Sequence, residues 1–155
     1  MGRIYTIPLP RTAVTVAVDL LEIVTPESVV CWIHSIELSQ STELADAAEE
    51  QLQLAWKSGQ TTSGSGGAAI TPAKVLPGDP ASVLTCEGFN TTKASAGTIL
   101  TQYLRDWNIR VAYEKVFTPE TRLFVGVSTR ATLELVAAPA DGVTICGTIT
   151  VEEIG

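Results

Sequence analysis

Val143-Thr144-Ile145-Cys146-Gly147-Thr148-Ile149-Thr150-Val151-Glu152-Glu153 carries the cleanest alternation in the chain. Val143, Ile145, Ile149 and Val151 fall on one side; Thr144, Cys146, Thr148, Thr150 and Glu152 fall on the other. A period of two over so many residues marks a β-strand with one buried face, because successive side chains of extended backbone point to opposite faces. Reading backwards from it, Arg130 to Ala137, Arg122 to Val127, Trp107 to Val116, Thr98 to Leu104 and Ala81 to Glu87 repeat the pattern more weakly. The first half adds Gln51 to Lys57, Val29 to Leu38, Ala13 to Val24 and a short strand at Arg3 to Ile7, ended by Pro8 and Pro10. Composition agrees. Thr, Val and Ile make up 46 of 155 residues, and branched Cβ atoms favour a pleated surface over a helix.

The expected fold is therefore all-β: one antiparallel β-sandwich over 1–155, jelly-roll-like in connectivity. Val29 to Leu38 is apolar on both faces at its start, which places it centrally. Ser41 to Glu50 holds helix formers behind capping residues, giving a short helical turn near 43–50. Residues 60–80 read as a long Gly/Ser/Pro-rich loop, with Thr61-Thr62-Ser63-Gly64-Ser65-Gly66-Gly67 followed by Thr71-Pro72 and Pro77-Gly78-Asp79-Pro80. Loops of that length are uncommon in compact domains and tend to be functional. Residues 1–10, stiffened by Pro8 and Pro10, read as an extended N-terminal arm.

Charge sets limits on function. The chain has 17 acidic and 10 basic residues, a formal charge of -7, and only 17% charged side chains. Its scattered Lys and Arg form no basic stripe, so nucleic acid is not an expected partner. No apolar run approaches the ~20 residues of a membrane-crossing helix, so no membrane partner is expected. Met1 to Tyr5 opens without the apolar stretch of a secretory leader. Cys31, Cys86 and Cys146 are odd in number and widely spaced, which reads as free buried thiols in a reducing compartment and not as a zinc set.

Motifs for chemistry are sparse. His34, the one histidine, lies among apolar strand residues and reads as a packed or hydrogen-bonded structural residue. Gly64-Ser65-Gly66-Gly67 lacks the Lys-Ser/Thr of a phosphate cradle. Glu43, Asp46, Glu49 and Glu50 lack calcium-loop spacing and read as a solvated turn. No cofactor, metal or catalytic residue is expected, and the chain is read as no enzyme. Trp32, Trp56 and Trp107 sit in alternating strands, where core packing competes with a sugar-stacking platform.

Three groups of residues carry a resemblance. Asp46-Ala47-Ala48-Glu49-Glu50-Gln51-Leu52-Gln53-Leu54 occurs with Gly64-Ser65-Gly66-Gly67-Ala68-Ala69-Ile70-Thr71-Pro72. Asn90-Thr91-Thr92, Pro119-Glu120 and Ala138-Pro139-Ala140-Asp141 with Gly147-Thr148 and Glu152-Glu153-Ile154-Gly155 accompany them. From about Val29 onward the chain resembles small virion-associated proteins of tailed bacteriophages. That resemblance implies a head decoration (cement) protein on the capsid surface, made in the host bacterial cytoplasm. It further implies a homotrimer that bridges the major capsid protein. A neck, tail or head-fibre protein, or a carbohydrate-binding module, is the alternative. The interface expected on this reading comprises Ile4, Tyr5, Gly64, Ser65, Gly66, Gly67, Thr71, Asn90, Thr91 and Thr92.

Overall fold

A computed structural model describes residues 2–42 and 50–155. The helical turn expected near 43–50 lies outside them except for Glu50, which is in irregular backbone. Among the described residues, twelve strands form two antiparallel six-stranded sheets. The first sheet is built from β1 (Arg3–Val14), β3 (Val30–Gln40), β6 (Ala73–Lys74), β9 (Tyr113–Val116), β10 (Leu123–Val125) and β12 (Val143–Ile154). Its order is β10-β3-β12-β1-β6, with β9 beside β10 on the same edge of β3. The second sheet contains β2 (Asp19–Val24), β4 (Gln51–Thr62), β5 (Ala68–Ile70), β7 (Thr85–Asn90), β8 (Ser95–Asn108) and β11 (Arg130–Leu135). It runs β5-β7-β2-β11-β4-β8.

The sandwich core forms where the alternation said it would. Val143, Ile145, Ile149 and Val151 are fully buried, and β12 lies between β1 and β3. They join Tyr5, Ile7, Ile33, Leu54, Trp56 and Leu133 in one apolar cluster drawn from both sheets. The mixed pattern of β3 has a physical cause. Cys31 and Ile33 face inward, His34 and Ser35 both face outward, and Ile36 and Leu38 face inward again. A bulge makes the switch, because pairing steps from Ile33–Val151 to Ser35–Thr150 and leaves His34 as the extra residue. His34 is therefore turned outward, away from the apolar register in which the sequence places it.

Of the segment 1–10 expected as an extended arm, Arg3 to Pro10 belong to β1. β1 is hydrogen-bonded to β12 from Arg3 to Val14, and Tyr5 and Ile7 are fully buried. Proline is tolerated here because of which way it points. The Ile4 carbonyl accepts from Val75 N on the β6 side, and alternate residues share that direction. Pro8 lies on the same side, beyond the two pairings Tyr5–Lys74 and Thr6–Ala73, so its missing N–H removes no ladder bond. Pro10 falls in the irregularity between Leu9 and Thr12.

Other boundaries shift. Ala13 to Val24 is not one strand: the chain bends at Thr15–Val18 to pass from the first sheet to the second, leaving Val16 exposed between buried Val14 and Val18. Gly88-Phe89-Asn90 ends β7 and is not a turn. Trp107 to Val116 is split by a turn near Arg110 ahead of β9. The polar stretch from Thr91 to Gly97 runs into β8, a single edge strand of 14 residues.

The 60–80 segment is not one long loop: it is packed on its own domain. β4 extends to Thr62, β5 adds to β7, β6 adds to β1, and Tyr5 Oη donates to the Pro80 carbonyl at 3.1 Å. Glu153, buried near the end of β12, accepts from Ser82 Oγ (2.7 Å) and Val83 N (3.1 Å), tying down the return to β7.

Candidate interaction surface

The second sheet buries charged groups on the face turned away from the core. Glu22 on β2, Thr132 on β11 and Lys57 on β4 stand in register across the three strands. Glu22 is 2% exposed, and each oxygen is used twice. Oε1 accepts from Ser63 Oγ (2.7 Å) and Arg130 Nε (2.5 Å); Oε2 accepts from Gly64 N (2.9 Å) and Asn90 Nδ2 (3.1 Å). Four donors on one buried carboxylate offset the cost of removing it from water.

Glu134 takes the next position along β11. Its carboxylate is shared between Lys57 and Lys93, at 2.5 Å from each ammonium. Lys93 also donates to the Val136 carbonyl at 3.1 Å. Asp19 accepts from Ala94 N at 2.7 Å. Burial pushes its carboxyl up to about 6 despite that hydrogen bond and the nearby Lys93; Glu134 and Glu22 add to the rise.

Two backbone segments cover this layer. Ser65 and Thr92 exchange backbone hydrogen bonds (2.9 and 3.0 Å), while Gly67 N donates to Asn90 Oδ1 at 3.1 Å. Gly64 fits because it lacks a side chain: a Cβ there would stand 2.7 Å from the Thr92 carbonyl oxygen and 2.8 Å from Asn90 Nδ2. The strand ends continue the contact, with Thr62 paired to Ser95 and Gln60 to Gly97. Residues 61–73 and 94–104 contain no charged side chain, and most of them are exposed. The uncharged segments Ser63–Gly67 and Thr91–Thr92 thus lie over charges that are paired internally.

Beside this roof a cleft of about 400 Å³ opens between the end of β1 and the loop. Val14, Val16, Ile70 and Phe89 supply apolar walls, and Gly66, Gly67 and Thr91 form its rim on the roof side.

The ten residues expected at an interface divide. Ser65, Gly66, Gly67, Thr91 and Thr92 are brought together and exposed. Thr71 is exposed on the turn between β5 and β6. Gly64 and Asn90 lie beneath the roof and support it. Tyr5 is fully buried in the core, and Ile4 is half-buried, paired with β12 on one side and hydrogen-bonded to Val75 on the other. The supporting charges were missed in the sequence. The signal was present as the two-residue spacing of Arg130, Thr132 and Glu134.

The aromatic and titratable residues occupy other places. Trp56 and Trp107 are core, the latter donating from Nε1 to the Val111 carbonyl at 2.7 Å, so neither forms a sugar platform. Trp32 lies half-buried on the outer face of the first sheet, 4.7 Å between ring centres from Phe124. His34 Nε2 is 2.9 Å from Glu152 Oε2, which also accepts from Arg122 at 3.1 Å. Cys31 and Cys86 are buried free thiols, and burial pushes Cys86 up to about 12; Cys146 is half-buried, 3.3 Å from Ser39 Oγ. Among the described residues, no group of three or more His, Cys, Asp and Glu side chains is arranged to hold a metal, and no helix is long and apolar enough to cross a membrane. No protein-family model, curated protein or solved structure matches the chain.

Proposed function

We propose that this chain is a non-enzymatic structural protein of a tailed-phage virion, a capsid decoration (cement) protein that binds major capsid protein through its uncharged roof. One observation carries the reading. In a chain of net charge -7, residues 61–73 and 94–104 are mostly exposed and carry no charged side chain, and the pairings Thr62–Ser95 and Ser65–Thr92 bring the two runs together beside ion pairs already satisfied within the domain. Charged side chains are depleted at the centres of protein interfaces, since each would have to be desolvated there. A roof fixed by Glu22 and Asn90 is ordered before binding, so less conformational entropy is lost on docking. The resemblance of the chain from Val29 onward to small phage virion proteins supplies the partner.

The experiment is co-sedimentation with tailed-phage heads stripped of decoration protein. Wild type should pellet with the heads, and Thr91→Glu with Thr71→Glu, both exposed and outside β8, should weaken that binding at least tenfold while leaving the circular dichroism unchanged. Undiminished binding by the double variant, or no binding by the wild type, would overturn the assignment.

A further inference from the structure

β8 poses a separate question, because one side of it is bare. It is hydrogen-bonded to β4 alone, and among the described residues no strand lies against its other edge. At roughly 3.3 Å per residue, its extended part from Thr98 to Asn108, beyond the left-handed backbone of Ala96 and Gly97, corresponds to about 35 Å of unpaired backbone groups. Edge strands of soluble proteins are ordinarily short, or carry Lys, Pro or an inward-pointing charge that blocks further pairing. Between Ser95 and Leu104 this strand has no charge and no proline. Ile99, Leu100 and Leu104 stand 42%, 59% and 54% exposed.

We infer that β8 pairs antiparallel with β8 of a second copy of this chain, joining the two second sheets into one continuous sheet across a twofold axis. Length selects the partner edge. Among the described residues, the other open edges are β5 with 3 residues, β6 with 2, β9 with 4, β10 with 3 and the part of β1 beyond Thr6, which carries Pro8, Pro10 and an irregularity, so pairing β8 head-to-tail with any of them leaves much of it unmatched. Among the described residues, only another β8 offers an edge of equal length. A twofold contact of this kind is isologous and closes at two copies.

The side chains select the register. Tyr103 pairs with Trp56 and Leu100 with Ser58 across β4, so both lie on the core side of the sheet despite their odd spacing. The irregularity at Gln102, where pairing steps from Trp56–Tyr103 to Lys57–Thr101, accounts for that. Leu104 and Ile99, each adjacent to one of these, face the other way. An axis between Thr101 and Gln102 sets Leu100 against the partner's Tyr103 and Ile99 against the partner's Leu104. Apolar side chains then meet on both faces, and Arg105 and Asp106 fall opposite the partner's Thr98 and Gly97, so no like charges are opposed. The three copies implied by the resemblance would need a different contact.

Light scattering on a sizing column at about 50 μM tests the pairing. Wild type should run at twice the 16.4 kDa chain mass, and Ile99→Lys with Leu104→Lys should run at the single-chain mass with unchanged circular dichroism. A second variant, Ile99→Cys with Leu104→Cys, should give a reducible covalent dimer when oxidised with diamide. A wild type of one or three chain masses, a lysine variant that stays double, or a cysteine variant that does not cross-link would overturn the inference. The result is independent of phage heads: failure to bind heads sinks the proposed function and leaves the dimer standing, and a monomer that binds heads does the reverse.

Discussion

The two sheets end in opposite ways. Along β1, the open edge of the first sheet is closed off: β6 pairs with Tyr5 and Thr6, and Pro8 withholds a donor where β6 stops. Along β8, the second sheet ends with nothing of the kind among the described residues. A fold that guards one edge with a strap and prolines and leaves another long, bare and uncharged from Ser95 to Leu104 is not uniformly protected against strand pairing. The difference separates an edge built to hold the chain together from an edge left for a neighbour.

The largest effect expected from breaking that difference is at the guarded edge. Tyr5 fills the core and holds the strap through Pro80, so Tyr5→Ala should cost about 3–5 kcal/mol in urea unfolding. Leu104→Ala on the bare edge of the monomeric chain should stay within about 0.5 kcal/mol. Equal losses at the two sites would abolish the distinction. Tyr5→Phe, which removes only the hydrogen bond to Pro80, should cost about 1 kcal/mol.

A second effect concerns the layer beneath the roof that leads into β8. Asp19 is raised to about 6 in the folded chain from an ordinary 3.8, so the folded state takes up its proton first as pH falls. Its ionisation therefore opposes folding above about pH 6, and that cost, on the order of 2 kcal/mol, is lost on going down to 3.8. Between about pH 7 and pH 4.5 the wild type should gain stability relative to Asp19→Asn, which has no proton to bind there. Parallel stability curves would show that burial of Asp19 is not costly. Gly64→Ala should lose about 1–3 kcal/mol by overpacking against the Thr92 carbonyl and Asn90. A neutral result would mean that the roof shifts to admit a methyl group.

What was legible in the sequence follows the same division. β12 and β3 are paired on both sides and packed against the core, so burial stamped its period onto Val143 to Val151 and onto most of β3. His34 was placed wrongly because a bulge changes the face without changing any residue type. β8 is exposed on nearly every residue, so little burial imposes a pattern, and the strand reads as polar chain until Thr98. The 60–80 segment reads as a loop because its anchors are distant in sequence: the Glu22 carboxylate, the Ile4 carbonyl and the Tyr5 hydroxyl. Gly64 to Gly67 and Thr91 to Thr92 were picked out by composition, but the charged layer that orders them depends on strand neighbours that no local window contains.

The smallest change in stability bears most directly on the edges. Pro8→Val restores an N–H on the side of β1 that β6 does not cover, and Pro8 is exposed, so stability should move by less than about 0.5 kcal/mol. Valine suits extended backbone, and the core-facing residues Ile7 and Leu9 are untouched. What changes is the edge itself, which gains a donor where the chain had only acceptors. In the Ile99→Lys/Leu104→Lys background, where β8 pairing is blocked, Pro8→Val should therefore raise self-association with concentration on a sizing column. If the triple variant stays at single-chain mass, the proline is not what protects β1, and the β6 strap alone must do so.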